Sequence, residues 1–181
     1  MKFSCTKDNL SQALSLAAGL ATKNVNLPIL SNVLLKAEAQ RVEISSTNLE
    51  LAIVVNVRAI VDEPGVFTVP GRTLLDFINL MTEEKIDFEL KDNELSVVCG
   101  RSATKIKGAP ADEFPVIPAM NEGKGFALLA RDFKKGLSEV AVSTAKSDIR
   151  PELSGVYFGF NVGGDKRSEE HTSELQSRFG I

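Results

Sequence analysis

The chain has 181 residues, of which 43% are hydrophobic and 25% are charged, and its formal net charge is −3. This length and composition predict one or two domains with an ordinary core, and the charge excludes a chain that is basic throughout. No apolar run approaches the ~18 residues of a membrane span and no signal peptide opens the chain, so we expect a cytoplasmic protein.

The first predicted elements are a strand at residues 3–6 and an amphipathic helix at residues 8–20. Asp8 or Asn9 is suited to cap this helix, since both side chains accept hydrogen bonds from backbone N–H groups. Apolar residues recur on one side of the helix at Leu10, Leu14, Ala17 and Ala21. We therefore expect the helix to pack on a sheet through one face.

Strands are predicted next at residues 29–37, 41–46 and 49–60, which are rich in leucine and β-branched side chains. A turn at residues 62–64 leads into a second strand and helix, at 65–70 and 73–81, with Leu74, Leu75, Ile78 and Met81 on one side of the helix. Strands at 85–90, 94–99 and 102–107 follow. The pattern predicts an α+β fold of repeated strand-helix-three-strand units, with helices on one face of antiparallel sheets.

The strand-and-helix opening occurs three times, beginning at Phe3, Phe67 and Phe126, at intervals of 64 and 59 residues. Recurrent units of this kind are typical of stacked or ring-like modules that share a working surface. The third copy aligns with the first without gaps at an offset of 123, and the identities include Lys23/Lys146, Pro28/Pro151 and Leu30/Leu153. We therefore expect a second domain of the first domain's design.

The expected domains are a complete one at residues 1–118 and the truncated start of another at 119–166. Pro110, Pro115 and Pro118 mark the expected linker, and the apolar strand at 156–160 lacks its later partners. Residues 167–181 have no apolar periodicity and resemble a translated sequencing adapter rather than a native, disordered tail. This segment holds the chain's one histidine, His171.

The remaining residues offer no catalytic constellation. Without a histidine there is no Ser-His or Cys-His pair and no imidazole metal site, and no phosphate-binding glycine motif occurs. Cys5 and Cys99 lie in predicted strands and are expected to be buried free thiols. The sequence therefore predicts a binding or scaffolding protein that needs no cofactor.

Several motifs carry a family resemblance: LPILSNVLL at 27–35, STNLELAI at 46–53, TVPGR at 68–72, GRS at 100–102 and PADEFP at 110–115. Their order and spacing resemble the N-terminal part of the bacterial sliding clamps, the beta subunits of DNA polymerase III. The resemblance implies a DNA-clamp fold in a head-to-tail ring of two three-domain subunits around duplex DNA. It implies a non-catalytic subunit of a DNA-directed DNA polymerase, a nucleotidyltransferase, and no membrane.

The resemblance also implies the site residues. Those facing double-stranded DNA would be Lys23, Asn24, Arg72, Lys146, Ser147 and Arg150, where Asn24 replaces a basic residue of some members; Lys134 and Lys135 could add positive potential. The subunit interface would use the edge strand, with Arg101, Thr104, Lys105, Ile106 and Lys107. A partial pocket for polymerase and clamp-loader peptides would include Arg150 and Leu153.

Two other functions fit the sequence less well. A repeat-built adaptor that binds proteins without DNA predicts an exposed apolar groove. An enzyme whose active site lies in a missing part predicts a deep pocket with convergent polar groups. The clamp predicts that Lys23, Arg72 and Lys146 converge on one concave face.

Overall fold

The computed structural model describes residues 1–21, 26–118, 127–145 and 151–159. The chain divides into two compact units, Met1–Ala119 and Met120–Ile181. Most of the regular structure among the described residues belongs to the first unit.

The first unit contains the predicted order of strand, helix and three strands, twice in succession. Its elements are β1 (Lys2–Thr6), α1 (Lys7–Leu20), β2 (Asn32–Glu38), β3 (Arg41–Thr47), β4 (Ala52–Glu63), β5 (Gly65–Pro70), α2 (Gly71–Leu80), β6 (Lys85–Lys91), β7 (Glu94–Cys99) and β8 (Ser102–Lys107). Short 3-10 turns lie at Pro28–Ser31 and Ala111–Glu113. The predicted α+β fold class is confirmed.

The strands form one antiparallel eight-stranded sheet in the order β5-β2-β3-β4-β1-β6-β7-β8. The long strand β4 joins its two halves, because residues 52–58 pair with β3 and the strand then pairs with β1 from Ala59 onward. Beyond β8, Ala109 forms an antiparallel bridge with Thr68 of β5. The two ends of the sheet therefore meet at one point.

The two helices pack on each other and on the sheet in an antiparallel pair. The Lys7 ammonium donates to the Met81 carbonyl, and Ser11 Oγ donates to Asn79 Oδ1 at 2.8 Å. At the other end of the pair Gly71 lies beside Ala18, since an added Cβ would be 3.5 Å from the Ala18 Cβ. The apolar residues predicted on one side of each helix lie largely in the hydrophobic core. The core also contains Phe3 stacked on Phe88, with ring centroids 4.5 Å apart.

Several predicted boundaries were wrong for local reasons. Residues 29–31 belong to a 3-10 turn rather than a strand, because Pro28 cannot donate to a ladder and its fixed φ suits the start of a helical turn. Asp62 and Glu63 belong to β4, whose pairing with β1 continues to Lys2 opposite Glu63. Thr6 occupies the N-cap position of α1 without a side-chain hydrogen bond, so neither Asp8 nor Asn9 caps the helix.

The expected linker also begins later than Pro110. Phe114 is buried, and the Ala111–Glu113 turn contacts β5. Ala109 exchanges two backbone hydrogen bonds with Thr68, each 3.1 Å long. Burial of the Phe114 ring thus holds the chain to the first unit through about this point, and Pro115 and Pro118 follow it.

The second unit contains α3 (Ala130–Ala141) and the short α4 (Pro151–Ser154). The offset of 123 recurs here, because Lys7 and Ala130 begin their helices and Pro28 and Pro151 begin their short turns. The expected strands at 126–129 and 156–160 are absent from residues 127–129 and 156–159, where no partner strand is described. Phe126 and Phe160 lie outside the described residues.

Candidate DNA-facing and subunit-facing sites

Arg72 is the one expected DNA-facing residue that the described part of the chain includes. It lies in the first turn of α2, and its side chain is 79% exposed. Its Nε is 3.4 Å from Asp76 Oδ1 one turn later, an exposed pair of the kind that contributes little to stability. The guanidinium is therefore available to a partner from solvent.

The other expected DNA-facing residues lie outside the described residues. They are Lys23, Asn24, Lys146, Ser147 and Arg150. The chain leaves α1 at Ala21, two residues before Lys23, and this end of α1 lies beside the start of α2. Arg72 thus marks the end of the helix pair from which the expected DNA-facing loop departs.

The helix pair itself carries little charge. The charged residues of α1 and α2 are Lys7, Asp8, Arg72 and Asp76, which balance in sign. The exposed side of α1 presents uncharged side chains, at Asn9, Gln12, Ser15 and Leu16. Positive potential at this end of the described structure therefore rests on Arg72 rather than on a basic stripe along the helices.

The strands carry most of the ion pairs in the described residues. They include Lys85–Asp87 at 3.0 Å, Lys91–Glu89 at 2.8 Å and Lys105–Glu94 at 3.9 Å. The hydrogen bond between Lys91 and Glu89 raises the pKa of the ammonium and lowers the pKa of the carboxyl group. Each of these three lysines therefore has an acidic neighbour that offsets its charge.

The expected subunit-interface strand is β8, at one edge of the sheet. It pairs with β7 along Ser102–Lys107, and no strand among the described residues pairs with its other edge. Arg101 lies in the turn before the strand, while Lys105 and Lys107 are exposed on it. An open edge of this kind can accept a strand from another chain through backbone hydrogen bonds.

Ile106 and Thr104 lie on the side of β8 that faces the core. Ile106 is 5% exposed and belongs to the hydrophobic core, whereas Thr104 is half-buried. The Ile106 side chain is therefore committed to its own unit and can serve an interface only by fixing the strand. Lys105 and Lys107 are exposed, although Lys105 lies 3.9 Å from Glu94, and the outer backbone edge of β8 has no partner strand among the described residues.

The expected peptide pocket is represented by Leu153 alone, since Arg150 lies outside the described residues. Leu153 is half-buried in α4, and its carbonyl accepts a hydrogen bond from the Ala145 N–H at 2.9 Å. One half-buried leucine does not define a pocket.

The two cysteines are free and buried, as predicted. Burial raises the pKa of the Cys5 thiol to about 12, and the negative charge of Asp87 adds to the effect. A thiol held in its neutral form is a poor nucleophile and metal ligand. Among the described residues, no three His, Cys, Asp or Glu side chains are grouped in a way that could hold a metal.

The larger of two open concavities described has a volume of about 1040 Å³ and lies where β4 changes partners. Its polar lining includes Asn9, Arg58 and Lys85, and Lys85 is already paired with Asp87. It holds no buried pair of acid and base, so it does not resemble the deep catalytic pocket of the enzyme alternative.

Two buried polar residues of the sequence motifs, Asn32 and Thr68, were not among the predicted site residues. Asn32 Nδ2 donates to Thr68 Oγ1 at 3.1 Å in the interior of the first unit. The available signal was a polar residue next to apolar strand residues in each of two motifs, Asn32 before Val33 in 27–35 and Thr68 before Val69 in 68–72.

The fold is that of solved sliding clamps. The DNA polymerase III subunit beta of Pseudomonas aeruginosa matches with a TM-score of 0.77 and 31% identity over 86% of this chain and 42% of that one. The Caulobacter crescentus pol III beta matches with a TM-score of 0.80 and 26% identity over 87% of this chain and 43% of that one.

The family model for the DNA polymerase III beta subunit, N-terminal domain, matches residues 1–118, so the chain belongs to this family. The beta sliding clamp of P. aeruginosa is 32% identical over 171 residues, covering 93% of this chain and 46% of the relative. That of Streptomyces coelicolor is 30% identical over 181 residues, covering 100% and 47%. The chain thus spans less than half the length of these relatives.

Within the described part of the chain, none of the helices is both long and apolar enough to cross a membrane.

Proposed function

We propose that this chain is the first part of a DNA-encircling processivity factor for a bacterial replicative DNA polymerase. The family match over residues 1–118, on a fold with an antiparallel helix pair against one curved sheet, is the observation that carries the proposal. In this proposal residues 1–118 are a complete clamp domain, 119–166 begin the next, and 167–181 are not native. The protein would work in the cytoplasm.

The ring would act by topology rather than by chemistry. A closed ring around duplex DNA holds the polymerase to its template without reading bases, and backbone contacts suffice for sliding. The chain would then be a non-catalytic subunit of a DNA-directed DNA polymerase, a nucleotidyltransferase. Its partners would be double-stranded DNA, a second clamp subunit, the polymerase and the clamp loader.

The DNA-facing group in this proposal comprises Lys23, Asn24, Arg72, Lys146, Ser147 and Arg150. The exposure of Arg72 and its place beside the end of α1 support its membership of the group. Each phosphate contact that is lost should reduce the slope of log K against log salt concentration by about 0.9.

The subunit interface in this proposal is the open edge of β8, with Arg101, Lys105 and Lys107 reaching toward an acidic partner edge. The outer backbone edge of this strand, unpaired among the described residues, supports the assignment. Thr104 and Ile106 would contribute by keeping the strand flat against its own core.

The test uses a full-length protein that begins with this sequence. Loaded onto nicked circular DNA, it should remain bound through gel filtration and dissociate once the circle is cut. Equal retention on circular and linear DNA would contradict topological binding, and no retention on either would favour the protein-binding adaptor.

A second experiment tests the DNA-facing residues. Lys23→Ala and Arg72→Ala should each lower the salt dependence of DNA binding, whereas Lys91→Ala, which removes an exposed lysine from β6, should leave it unchanged. Equal effects of all three substitutions would mean that net charge alone governs binding.

A further inference from the structure

We propose that Asn32 and Thr68 form a positioning site that fixes the edge strand β8 for pairing with a second subunit. This inference rests on the proposed function, which assigns the subunit interface to that strand. Neither residue touches the partner in this proposal. Both act through Ala109, two residues beyond the end of β8.

A continuous chain of hydrogen bonds links β2, β5 and Ala109. Asn32 Nδ2 donates to Thr68 Oγ1 at 3.1 Å, and the same hydroxyl donates to the Ala109 carbonyl at 2.8 Å. The backbone adds two bonds of 3.1 Å, from the Thr68 N–H to the Ala109 carbonyl and from the Ala109 N–H to the Thr68 carbonyl. The Ala109 carbonyl therefore accepts twice from one residue.

The interior placement of this chain makes it sensitive to change. Thr68 is 0% exposed and Asn32 is 8% exposed. A buried polar group that loses its partner carries its full desolvation cost, which is larger than the net gain from a satisfied hydrogen bond. The Thr68 hydroxyl satisfies a donor on one side and an acceptor on the other, and an apolar side chain can do neither.

Gly108 permits this close approach. A Cβ added at residue 108 would lie 1.8 Å from the Thr68 carbonyl oxygen and 2.5 Å from Cε1 of Phe67. Any side chain at this position would push residue 109 away from β5. Gly108 and the Asn32–Thr68 pair thus both stabilise the contact between Ala109 and β5, which we call the junction.

This junction holds the end of an edge strand that is otherwise held on one side only. β8 is bonded to β7 along Ser102–Lys107, and its outer edge has no partner among the described residues. The bond from Ala109 to β5 fixes where the strand ends. An incoming strand loses less conformational entropy when the edge it meets is already ordered, so an anchored β8 favours pairing.

The first experiment measures backbone amide exchange by NMR in the 181-residue chain. Thr68→Val keeps the shape of the side chain and removes its hydroxyl, whereas Thr68→Ser keeps the hydroxyl. In Thr68→Val we expect exchange at residues 104–109 to accelerate by about ten- to a hundredfold, the factor for an unsatisfied buried group. Thr68→Ser should stay near the wild type.

Thr47→Val is the matched control. The Thr47 hydroxyl is also buried, donates to the Leu51 carbonyl at 2.9 Å and accepts from the Leu49 N–H at 3.0 Å; it lies on β3, which β2 separates from β5, and neither bond involves Ala109 or β8. It should accelerate exchange around the β3–β4 hairpin and leave residues 104–109 unchanged. A uniform acceleration of all amides in Thr68→Val, or the same result for Thr68→Ser, would overturn the proposal.

The second experiment measures subunit dissociation in a full-length protein that begins with this sequence. Thr68→Val should have a dimer dissociation constant about tenfold or more above that of Thr47→Val. The two constants are compared under conditions in which both variants have lost the same thermal stability relative to the wild type. Equal constants for the two variants would refute the positioning role. A wild-type protein that never dimerises would instead refute the proposed function and leave the exchange result standing.

Discussion

At the scale of single residues, the first unit uses small and polar side chains at places where backbone segments approach closely. Gly71 packs against Val33 and Ala18, and Gly108 lies against the Thr68 carbonyl. Cys5 lies on β1 between β4 and β6, and its thiol is largely buried. Substitutions at these positions test the packing directly, because each removes or adds one defined group.

Gly108→Ala should destabilise the first unit by about 3 kcal/mol, since the added methyl group meets backbone as well as the Phe67 ring. Urea denaturation followed by circular dichroism measures the change. Gly19→Ala is the control, because nothing lies within 4 Å of its added Cβ and α1 gains a better helix former there. It should stabilise by up to about 1 kcal/mol, and a loss of similar size in both variants would contradict the steric explanation.

The Cys5 thiol should make the first unit less stable in alkali. Its pKa is about 12 in the folded chain against 9.0 for an ordinary thiol, so above pH 9 the unfolded chain releases a proton that the folded chain retains. The free energy of unfolding should fall by up to about 1.4 kcal/mol per pH unit in the window between these values. Cys5→Ala removes this contribution.

Urea denaturation of the wild type and Cys5→Ala at pH 8 and pH 10.5 measures this contribution. The free energy of unfolding of Cys5→Ala should rise relative to that of the wild type as the pH rises. Parallel loss of stability in both would assign the alkaline effect to other groups.

At the scale of elements, the hairpins of the first unit adopt the turns that fit a twisted sheet. Asp92 and Asn93 between β6 and β7 both have positive φ, 49° and 60°, as in a type I′ turn. Ala39 between β2 and β3 has φ of 50°, while Gln40 is not among the positive-φ residues, as in a type II′ turn. That position favours glycine, because a Cβ is strained there.

Ala39→Gly should therefore stabilise the protein by about 1 kcal/mol, because it relieves the left-handed strain of a non-glycine residue. Asn93→Gly is the matched comparison and should gain less, since asparagine tolerates the left-handed region. Thermal denaturation of both variants measures the difference. A larger gain from Asn93→Gly would contradict the assignment of strain to Ala39.

At the scale of the whole molecule, the two compact units differ in how much core they contain. The first has a contiguous core drawn from both helices and all eight strands. In the second, Gly136 is the one buried residue among those described, and Leu129, Val142 and Tyr157 are more than half exposed. An isolated helix as short as α3 is marginal without an apolar surface to cover it.

We therefore expect residues 1–118 alone to have the same denaturation midpoint as the full 181-residue chain. Amide exchange in α3 should be far faster than in α1. A midpoint that falls on removal of residues 119–181 would show that the second unit contributes to the stability of the first, and strong protection of α3 would contradict its expected marginal stability.

The repeat could be predicted from the sequence because it is a local pattern. Apolar spacing predicted the two helices of the first unit and the succession of its strands along the chain, and the repeat predicted a helix soon after residue 126; the short α4 was not predicted. The start of β2 after Pro28–Ser31 and the end of β4 at Glu63 were predicted wrongly. A strand begins and ends where its neighbouring strand offers hydrogen bonds, and residue propensity does not show where that is. Of the candidate site, Arg72 is exposed and β8 is an edge strand, while their roles toward DNA and a second subunit stay predictions; the core position of Ile106 appeared only in three dimensions.

The sequence by itself determined the family, the α+β class and the modular plan, since these depend on the order of motifs and the period of apolar residues. Only the tertiary structure decided that Asn32, Thr68 and Ala109 form one buried chain of hydrogen bonds that closes the sheet. Residues far apart in sequence meet there through the curvature of the whole sheet. No local pattern encodes that meeting, because it depends on where every intervening strand pairs.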